Sequence, residues 1–364
     1  MSKASTRILE VILGLALLLL FAASAFAQQP PLPSEAGQIS PTLRSVAYPE
    51  ALYPDGILPD WDRGYVIHYE IEMNHSPGTP MVVMYDKTGK RIREGLIWPE
   101  GAGSVRVRRT AATRDGALLA AGSAIMQDGS IQGYIVKTDL AGTTAQTLLT
   151  GSFMPEQICE APDDTIWSLG KASSPNDGLQ HDDRVLRHFG FGKGQLHAFL
   201  PEDTVAAPVR SAKPWFVPWG SYVRCGKDKV SIYLNFTNEY AEINTASFEW
   251  KRWELDPALV EQRDASGLAA TDDGRVYVSF KASGIRGMEQ IRGLYQIKAT
   301  PGNPIAELLP VSGTINALER GKFPPPGSFS MLWGADGNQL VVWRMEGSGQ
   351  PLSWVNVTQT DSTH

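Results

Sequence analysis

The stretch Ala112-Thr-Arg-Asp115-Gly116-Ala-Leu-Leu119 decides the fold, since it reads as an apolar strand, a tight Asp-Gly turn and a second apolar strand. The phrase returns as Ala270-Thr-Asp-Asp273-Gly274-Arg-Val-Tyr277 and as Trp333-Gly-Ala-Asp336-Gly337-Asn-Gln-Leu340. Weaker versions stand at Ala161–Trp167 and Gly226–Ile232. Asp-Gly between apolar runs is a strong hairpin signal, because glycine accepts the positive φ that such turns need. Recurrence at roughly 45 to 60 residues is typical of a propeller or solenoid array.

A second phrase recurs in the same order along the chain. It is a strand of alternating apolar and polar residues that ends in a glycine turn, at Val82–Gly89, Tyr134–Gly142 and Leu294–Gly302. Together the two phrases mark four short antiparallel strands per unit, which is the content of one propeller blade. The sequence therefore predicts an all-β propeller.

We expect six four-stranded blades, at 62–100, 104–151, 155–202, 220–257, 265–312 and 328–359. The last blade stops after its third strand, so we expect its outer strand to come from Leu43–Ala47, near the other end of the chain. Such a closure removes an exposed sheet edge. Because the first unit has no clear Asp-Gly turn, five or seven blades remain open alternatives.

The first 27 residues read as a signal peptide outside this fold. A basic start precedes the apolar run Val11–Ala23, and Ala25-Phe26-Ala27 is a small-x-small cleavage site. The run is shorter than the roughly 20 residues of a spanning helix, so we expect cleavage and export to a periplasm or out of the cell. An uncleaved membrane anchor is the alternative. The Pro-rich residues 28–42 predict a flexible leader, and 43–364 a single domain.

Composition excludes two classes of partner. The chain has 33 Lys and Arg against 39 Asp and Glu, a formal net charge of −6. This balance argues against a nucleic-acid partner, which needs a clustered basic face, and against docking on anionic lipid. We expect a monomer that has no membrane contact after cleavage.

The chain has two cysteines, Cys159 and Cys225. Each precedes its copy of the repeated turn, on what should be equivalent strands of neighbouring units. In an oxidising compartment an isolated pair favours one disulfide. Two buried free thiols are the alternative.

The Asp-Gly phrases and the third-strand turns resemble those of secreted six-bladed propellers of the NHL and gluconolactonase-like superfamily. The resemblance covers nearly all of the chain after the leader, and it is to the fold rather than to a specific family. It implies either a binding or scaffold protein, or a lactone hydrolase with a divalent metal in the central channel. A complete set of the hydrolases' metal ligands does not align onto this sequence.

Aromatic residues on Pro-stiffened segments are the candidate ligand-binding residues. Trp215, Phe216 and Trp219 lie between two blades, and Phe323 lies in a second Pro-rich segment. Rigid exposed aromatics are good platforms for sugars, peptides or apolar partners. Packing of the Trp215–Trp219 segment in the core is the alternative.

The candidate metal ligands are Glu160, Asn235 and Asp272, which lie near strand ends of three different blades. Carboxylate and amide oxygens suit a hard cation such as Ca²⁺, which would polarise a carbonyl or activate water. The alternative is that these residues only form local turn hydrogen bonds.

No nucleophile motif or phosphate-binding glycine loop is present in the sequence. The six histidines are scattered, and His188 and His197 read as hydrogen-bonded structural residues on strands. We therefore expect a non-catalytic binding module that acts through inter-blade loops and the channel mouth, without a cofactor. A metal-dependent, lactonase-like hydrolase with bound Ca²⁺ is the alternative, so catalysis stays undecided.

Overall fold

Strands are the only regular elements in the described part of the chain, as the period-two patterning predicts. None of the described residues forms a helix long and apolar enough to cross a membrane. The described residues belong to one compact unit within Glu35–His364. The computed structural model describes residues 36–39, 44–46, 60–72, 79–139, 141–172, 185–200, 221–235, 237–255, 265–280, 293–312, 328–345 and 352–358.

Four separate sheets each contain four antiparallel strands. In three of them the strands are consecutive in the chain, and the fourth takes one strand from the opposite end. We call them units 1, 2, 3 and 6. Unit 1 has β3 (Asp60–Asp62), β4 (Tyr65–Glu72), β5 (Thr79–Tyr85) and β6 (Arg91–Leu96). Unit 2 has β7 (Ala102–Ala112), β8 (Leu118–Met126), β9 (Ile131–Thr138) and β10 (Thr144–Gly151). Unit 3 has β11 (Phe153–Glu160), β12 (Ile166–Ala172), β13 (Leu186–Gly190) and β14 (Gly194–Phe199). Unit 6 has β23 (Ser328–Asp336), β24 (Gln339–Met345), β25 (Leu352–Val355) and β2 (Arg44–Val46).

The remaining strands form one ten-stranded sheet that contains two further four-stranded runs, units 4 and 5. Unit 4 has β15 (Tyr222–Cys225), β16 (Lys229–Leu234), β17 (Glu239–Asn244) and β18 (Trp250–Leu255). Unit 5 has β19 (Ala265–Ala270), β20 (Val276–Phe280), β21 (Gly293–Lys298) and β22 (Ile305–Ser312). A short parallel pairing of β18 with β22 joins the two units, and β1 (Gly37–Ile39) and β26 (Val357–Thr358) extend the sheet.

The two ends of the chain pair with each other in unit 6. Strand β2 lies antiparallel to β25, with Arg44 opposite Trp354. This confirms the outer strand predicted from Leu43–Ala47. The leader prediction is wrong for Gly37–Ile39, because β1 pairs with both β22 and β26. The signal segment 1–27 lies outside the described residues.

Consecutive units pack face to face, and each pair of neighbours from unit 1 to unit 6 shares a buried apolar cluster. The second strands are buried on both faces, which explains why β8 and β20 read as continuous apolar runs rather than alternating ones. Tyr134, Trp167 and Tyr277 fill the space between sheets and are almost completely buried.

The first strands of neighbouring units approach each other closely. A Cβ built on Gly267 of β19 would lie 1.8 Å from the carbonyl oxygen of Leu332 in β23. Only glycine therefore fits where units 5 and 6 converge.

The turn that follows the first strand has left-handed backbone in five of the six units, all but unit 4. Gly274 has a φ of 84°, as the Asp-Gly phrase predicts. Unit 1 uses Arg63 and Gly64 instead, with φ values of 50° and 87°. The first unit therefore has an equivalent hairpin turn that the Asp-Gly pattern does not identify.

The prediction that His188 is hydrogen bonded is wrong. Its ring is buried and stacks on Trp167, with the ring centroids 4.4 Å apart, and neither ring nitrogen has a hydrogen-bond partner in the structure. Burial lowers the pKa of His188 to about 4, against the opposing effect of Asp163.

Candidate functional site

The first strands of all six units end at one cavity of about 250 Å³. Each unit contributes residues from the end of its first strand or from the turn that follows it. We call this cavity the mouth. Its lining residues with charged side chains are Asp62, Arg63, Arg109, Arg224, Asp272 and Asp336, and the remainder are Thr110, Ala111, Ile158, Cys159, Cys225, Ala270, Gly334, Ala335 and Gly337.

A disulfide forms part of the wall of the mouth. It joins Cys159 at the end of β11 to Cys225 at the end of β15, with the Cα atoms 5.6 Å apart. The disulfide expected from the equivalent positions of the two cysteines is therefore present, and it ties unit 3 to unit 4.

Arg63 extends from the turn of unit 1 across the neighbouring units. Its Nε donates to the carbonyl oxygen of Ala112 at 3.2 Å, and its Nη2 donates to the carbonyl oxygen of Glu160. Asp62 accepts the amide N–H of Ala112 at 3.0 Å. These bonds hold the guanidinium group in place, while Nη1 has no hydrogen bond to any described residue.

Glu160 is only 2% exposed. Its Oε2 accepts the amide N–H of Arg114 at 2.7 Å and lies 3.9 Å from Nη2 of Arg63. Burial raises the pKa of this carboxyl, and the Arg114 N–H and the Arg63 charge oppose that rise. Glu160, in unit 3, thus contacts both Arg63 of unit 1 and the backbone of Arg114 in unit 2.

Arg224 spans three units at the mouth. Its Nε donates to the carbonyl oxygen of Leu268 in unit 5 at 2.9 Å, and its Nη2 reaches the carbonyl oxygen of Trp333 in unit 6 at 3.5 Å. Arg224 of unit 4 thus bonds to the backbones of units 5 and 6 at the mouth.

Asp336 lies where unit 6 meets unit 1. Its Oδ2 accepts from Nζ of Lys87 at 2.6 Å and from Nε1 of Trp354 at 3.0 Å. Arg44 of the closing strand stands 3.7 Å from the same oxygen and 3.8 Å above the Trp354 ring. These residues come from opposite ends of the chain.

Asp272 differs from the other carboxylates of the mouth. Its amide N–H donates to the carbonyl oxygen of Gly337 at 3.1 Å, which fixes the backbone. Its side chain is exposed and has no hydrogen bond or ion pair to any described residue. It therefore presents a carboxylate to whatever occupies the mouth.

The three predicted metal ligands do not come together. Glu160 and Asp272 lie at the mouth ends of their units, whereas the Asn235 side chain accepts the amide N–H of Ala265 at 3.4 Å, at the opposite end of β19. The described residues contain no group of three or more His, Cys, Asp or Glu side chains placed to hold a metal ion. Glu160, Asn235 and Asp272 therefore do not form one ligand set.

The predicted ligand-binding residues Trp215, Phe216, Trp219 and Phe323 lie outside the described residues. The structure instead assigns the mouth to residues that sequence reasoning did not select, namely Arg63, Arg109, Arg224 and Asp336. Arg63, Arg224 and Asp336 each stand at or beside the turn of their repeat. The repeated phrase marks the position of Asp336, but no pattern in the sequence marks Arg63 and Arg224 as residues that reach across units.

Comparison with known proteins supports the fold and assigns no family. No family model matches the chain, and no curated protein does. A putative exported protein from Bacteroides fragilis NCTC 9343 is similar in structure at 9% identity, covering 91% of this chain and 98% of that one, with a TM-score of 0.50.

Two further solved structures resemble the chain at lower TM-scores. One is the PQQ-bound aldose sugar dehydrogenase from Streptomyces coelicolor, at 15% identity over 90% of this chain and all (100%) of that one, with a TM-score of 0.43. The other is the β-propeller domain of the trilobed protease from Pyrococcus furiosus, at 11% identity over 88% of this chain and 82% of that one, with a TM-score of 0.42. The four-stranded antiparallel units are those of a β-propeller, and the comparisons assign it to no particular family.

Proposed function

We propose that units 1 to 6 are the six blades of one closed propeller, and that its channel mouth is the binding site of an exported ligand-binding protein. The cavity carries the proposal, because the first strands of all six units end there and supply six charged side chains. A concave site with a few convergent polar groups is the usual form of a small-molecule site.

The charged side chains of the mouth are held in place before any ligand arrives. Arg63 and Arg224 donate to backbone carbonyls of neighbouring units, and Asp336 is held by Lys87 and Trp354. Prepositioned groups bind more tightly because little side-chain entropy is lost on association. This rigidity supports binding of a small polar ligand rather than of an extended chain.

Export is part of the proposal. Residues 1–27 have the composition of a signal peptide. The Cys159–Cys225 disulfide fits an oxidising compartment, and the similar Bacteroides fragilis protein is named as exported.

A second contribution is proposed for the aromatic residues Trp215, Phe216, Trp219 and Phe323. Their segments connect units or precede them, where propellers vary most. Alanine at Trp215 and Trp219 should weaken ligand or partner binding and leave unfolding unchanged. A large loss of stability instead would favour the core-packing alternative.

The metal-dependent hydrolase alternative gains no support from its predicted ligands. Asn235 of unit 4 accepts the amide N–H of Ala265, which lies at the end of β19 opposite to Asp272. Thermal unfolding in CaCl₂ and in EDTA tests it directly. A calcium-dependent rise in Tm that is lost in Asp272→Asn would revive it.

The binding proposal is tested by saturation-transfer NMR with a mixture of free amino acids, dicarboxylates and monosaccharides. Asp272→Trp fills the mouth from an exposed turn position and should abolish the signals of bound ligands. Gln127→Trp adds the same bulk to an exposed turn of unit 2 beyond the opposite end of the first strands and should leave them. Absence of signals with the wild-type protein, or signals retained in Asp272→Trp, would contradict the proposal.

A further inference from the structure

Two groups of opposite charge at the mouth have bonding capacity that the described residues do not use. With the described residues, the Asp272 carboxylate makes no hydrogen bond or ion pair and Nη1 of Arg63 makes no hydrogen bond, although both side chains line the same cavity. The Arg63 side chain is 26% exposed, so Nη1 is open to solvent. One group accepts a cation or a donor, and the other donates to an anion.

The other lining charges are already engaged. Asp336 accepts from Lys87 and Trp354, and Asp62 accepts the amide N–H of Ala112. Arg224 donates to the carbonyl oxygens of Leu268 and Val223. Two side chains at the mouth therefore keep hydrogen-bonding capacity that the described residues do not use, namely the Asp272 carboxylate of unit 5 and Nη1 of Arg63 of unit 1, whose Nη2 already lies 3.9 Å from the Glu160 carboxylate.

These two charges select against ligands that carry only one charge. A plain anion on Arg63 would cover the Asp272 carboxylate without compensating it, and a plain cation on Asp272 would cover Nη1 of Arg63 without giving it a hydrogen-bond acceptor. Desolvating a charge without a partner is costly. The cavity is also balanced in charge, with three arginines and three aspartates in its lining.

The size of the cavity narrows the class of ligand further. The volume of about 250 Å³ holds a molecule of the size of an amino acid or a dipeptide. A carboxylate fits the planar fork of a guanidinium group, which can donate two parallel hydrogen bonds. An ammonium group at the other end of such a ligand would pair with Asp272 across the mouth.

We infer that the mouth binds a small zwitterion of the amino-acid or dipeptide class, with its carboxylate on Arg63 and its ammonium group on Asp272. The inference rests on the proposed function, because it names the ligand class of the same cavity. A disordered peptide terminus could present one of these charges, but only a free zwitterion presents both in a volume this small.

Isothermal titration with three matched probes tests the inference. Glycylglycine carries both charges, N-acetylglycylglycine only the carboxylate, and glycylglycinamide only the ammonium group. We expect glycylglycine to bind at least tenfold more tightly than either of the others. The amide probe thus tests the Arg63 end without a substitution that would also remove the bonds to Ala112 and Glu160.

The Asp272 end is tested by substitution. Asp272→Asn should weaken glycylglycine at least tenfold, to the affinity of N-acetylglycylglycine, and should change the acetylated probe less than twofold. Asp128→Asn, in an exposed turn of unit 2 beyond the opposite end of the first strands, is the matched control and should change nothing.

Each other outcome overturns the inference. Equal affinities of the three probes, no binding of glycylglycine, or an unchanged affinity in Asp272→Asn would exclude a zwitterion site. If another member of the amino acid, dicarboxylate and monosaccharide mixture still binds in a manner that Asp272→Trp abolishes, the proposed function stands without this ligand class. If Asp272→Trp leaves every signal of the mixture, both fail.

Discussion

The seam between units 3 and 4 and the seam between units 6 and 1 both reach the channel mouth, but different chemistry holds them. Units 3 and 4 are joined by the Cys159–Cys225 disulfide and a buried aromatic cluster that includes Trp167. Units 6 and 1 are joined by Lys87 and Asp336, whose Nζ and Oδ2 atoms lie 2.6 Å apart. The first seam is covalent and apolar, and the second is ionic.

The difference follows the path of the chain. Units 3 and 4 are consecutive, so their cysteines stand only 66 residues apart. Units 6 and 1 meet from opposite ends, and Lys87 is 249 residues from Asp336. We therefore expect the seam between units 3 and 4 to be insensitive to salt, and the closing seam to weaken as salt screens its charges.

Removal of the disulfide should have the largest effect. A loop of 66 residues predicts a loss of about 4 kcal/mol of unfolding free energy in the double variant Cys159→Ser, Cys225→Ser. The loss is measured by denaturant unfolding and should not change between low and high salt. The wild-type protein unfolded in excess reductant is the control and should match the variant. A loss below about 1 kcal/mol would show that apolar packing alone holds this seam.

Among the substitutions, loss of the Asp336 carboxylate should come next. Asp336→Ala leaves the buried Trp354 N–H and the Lys87 ammonium without their partner, so we expect a loss of about 2 to 3 kcal/mol. Unlike the disulfide effect, this loss should shrink at 1 M NaCl. The measurement is denaturant unfolding at two salt concentrations.

Asp273→Ala is the matched control for Asp336→Ala. Both residues occupy the same position of the Asp-Gly phrase, but among the described residues the Asp273 carboxylate bonds only within its own turn, to Thr271 and Arg275. We expect a loss of about 1 kcal/mol. Equal losses in the two variants would mean that the closing seam adds nothing to an ordinary turn.

Acid should weaken the seam between units 3 and 4. The folded state holds the pKa of His188 at about 4, and unfolding returns it to about 6.5. Its neutral ring therefore contributes full stability above pH 6.5, and that stability is lost as the pH falls to 4. We expect a loss of about 3 kcal/mol across this window. Asp163 and His197 are the titrating neighbours that act on it.

His188→Phe should preserve the stack on Trp167 and flatten the pH dependence of the unfolding free energy between pH 4 and 6.5. His197→Phe is the control, because it removes only the smaller effect of a neighbouring charge and should leave most of the slope, which burial of His188 causes. If the slope survives in His188→Phe, another group causes the acid sensitivity of this seam.

The repeated phrases predicted most of the fold. Apolar alternation and Asp-Gly spacing placed the bounds of the six units within a few residues, because the strands of each unit are buried by neighbours of the same pattern. The closing strand at Arg44–Val46 was predicted from the missing fourth strand of the last unit. The β1 strand was not predicted, since three residues in a Pro-rich segment are too few to show the alternation of apolar and polar residues that marks a strand.

The site was predicted less well, because the Asp-Gly phrase does not show which partner each carboxylate bonds to. Thr113 and Thr271 stand two residues before Asp115 and Asp273 and bond their carboxylates locally. Gly334 stands at that position before Asp336, so this carboxylate is free to cross to unit 1. The long reach of Arg63 and Arg224 across neighbouring units depends on how the sheets pack, which no local pattern encodes.

Asp272→Asn should have the smallest effect on stability, within about 0.5 kcal/mol of the wild-type protein. Its carboxylate lies at the mouth beside unit 6 but bonds to no described residue, so it bridges no seam. Denaturant unfolding in the absence of ligand measures this change in unfolding free energy. A loss comparable to that of Asp336→Ala would mean that Asp272 supports the seam between units 5 and 6. An unchanged unfolding free energy would show that the Asp272 charge does not stabilise the fold. Any loss of ligand affinity in Asp272→Asn would then come from the binding site and not from a destabilised protein.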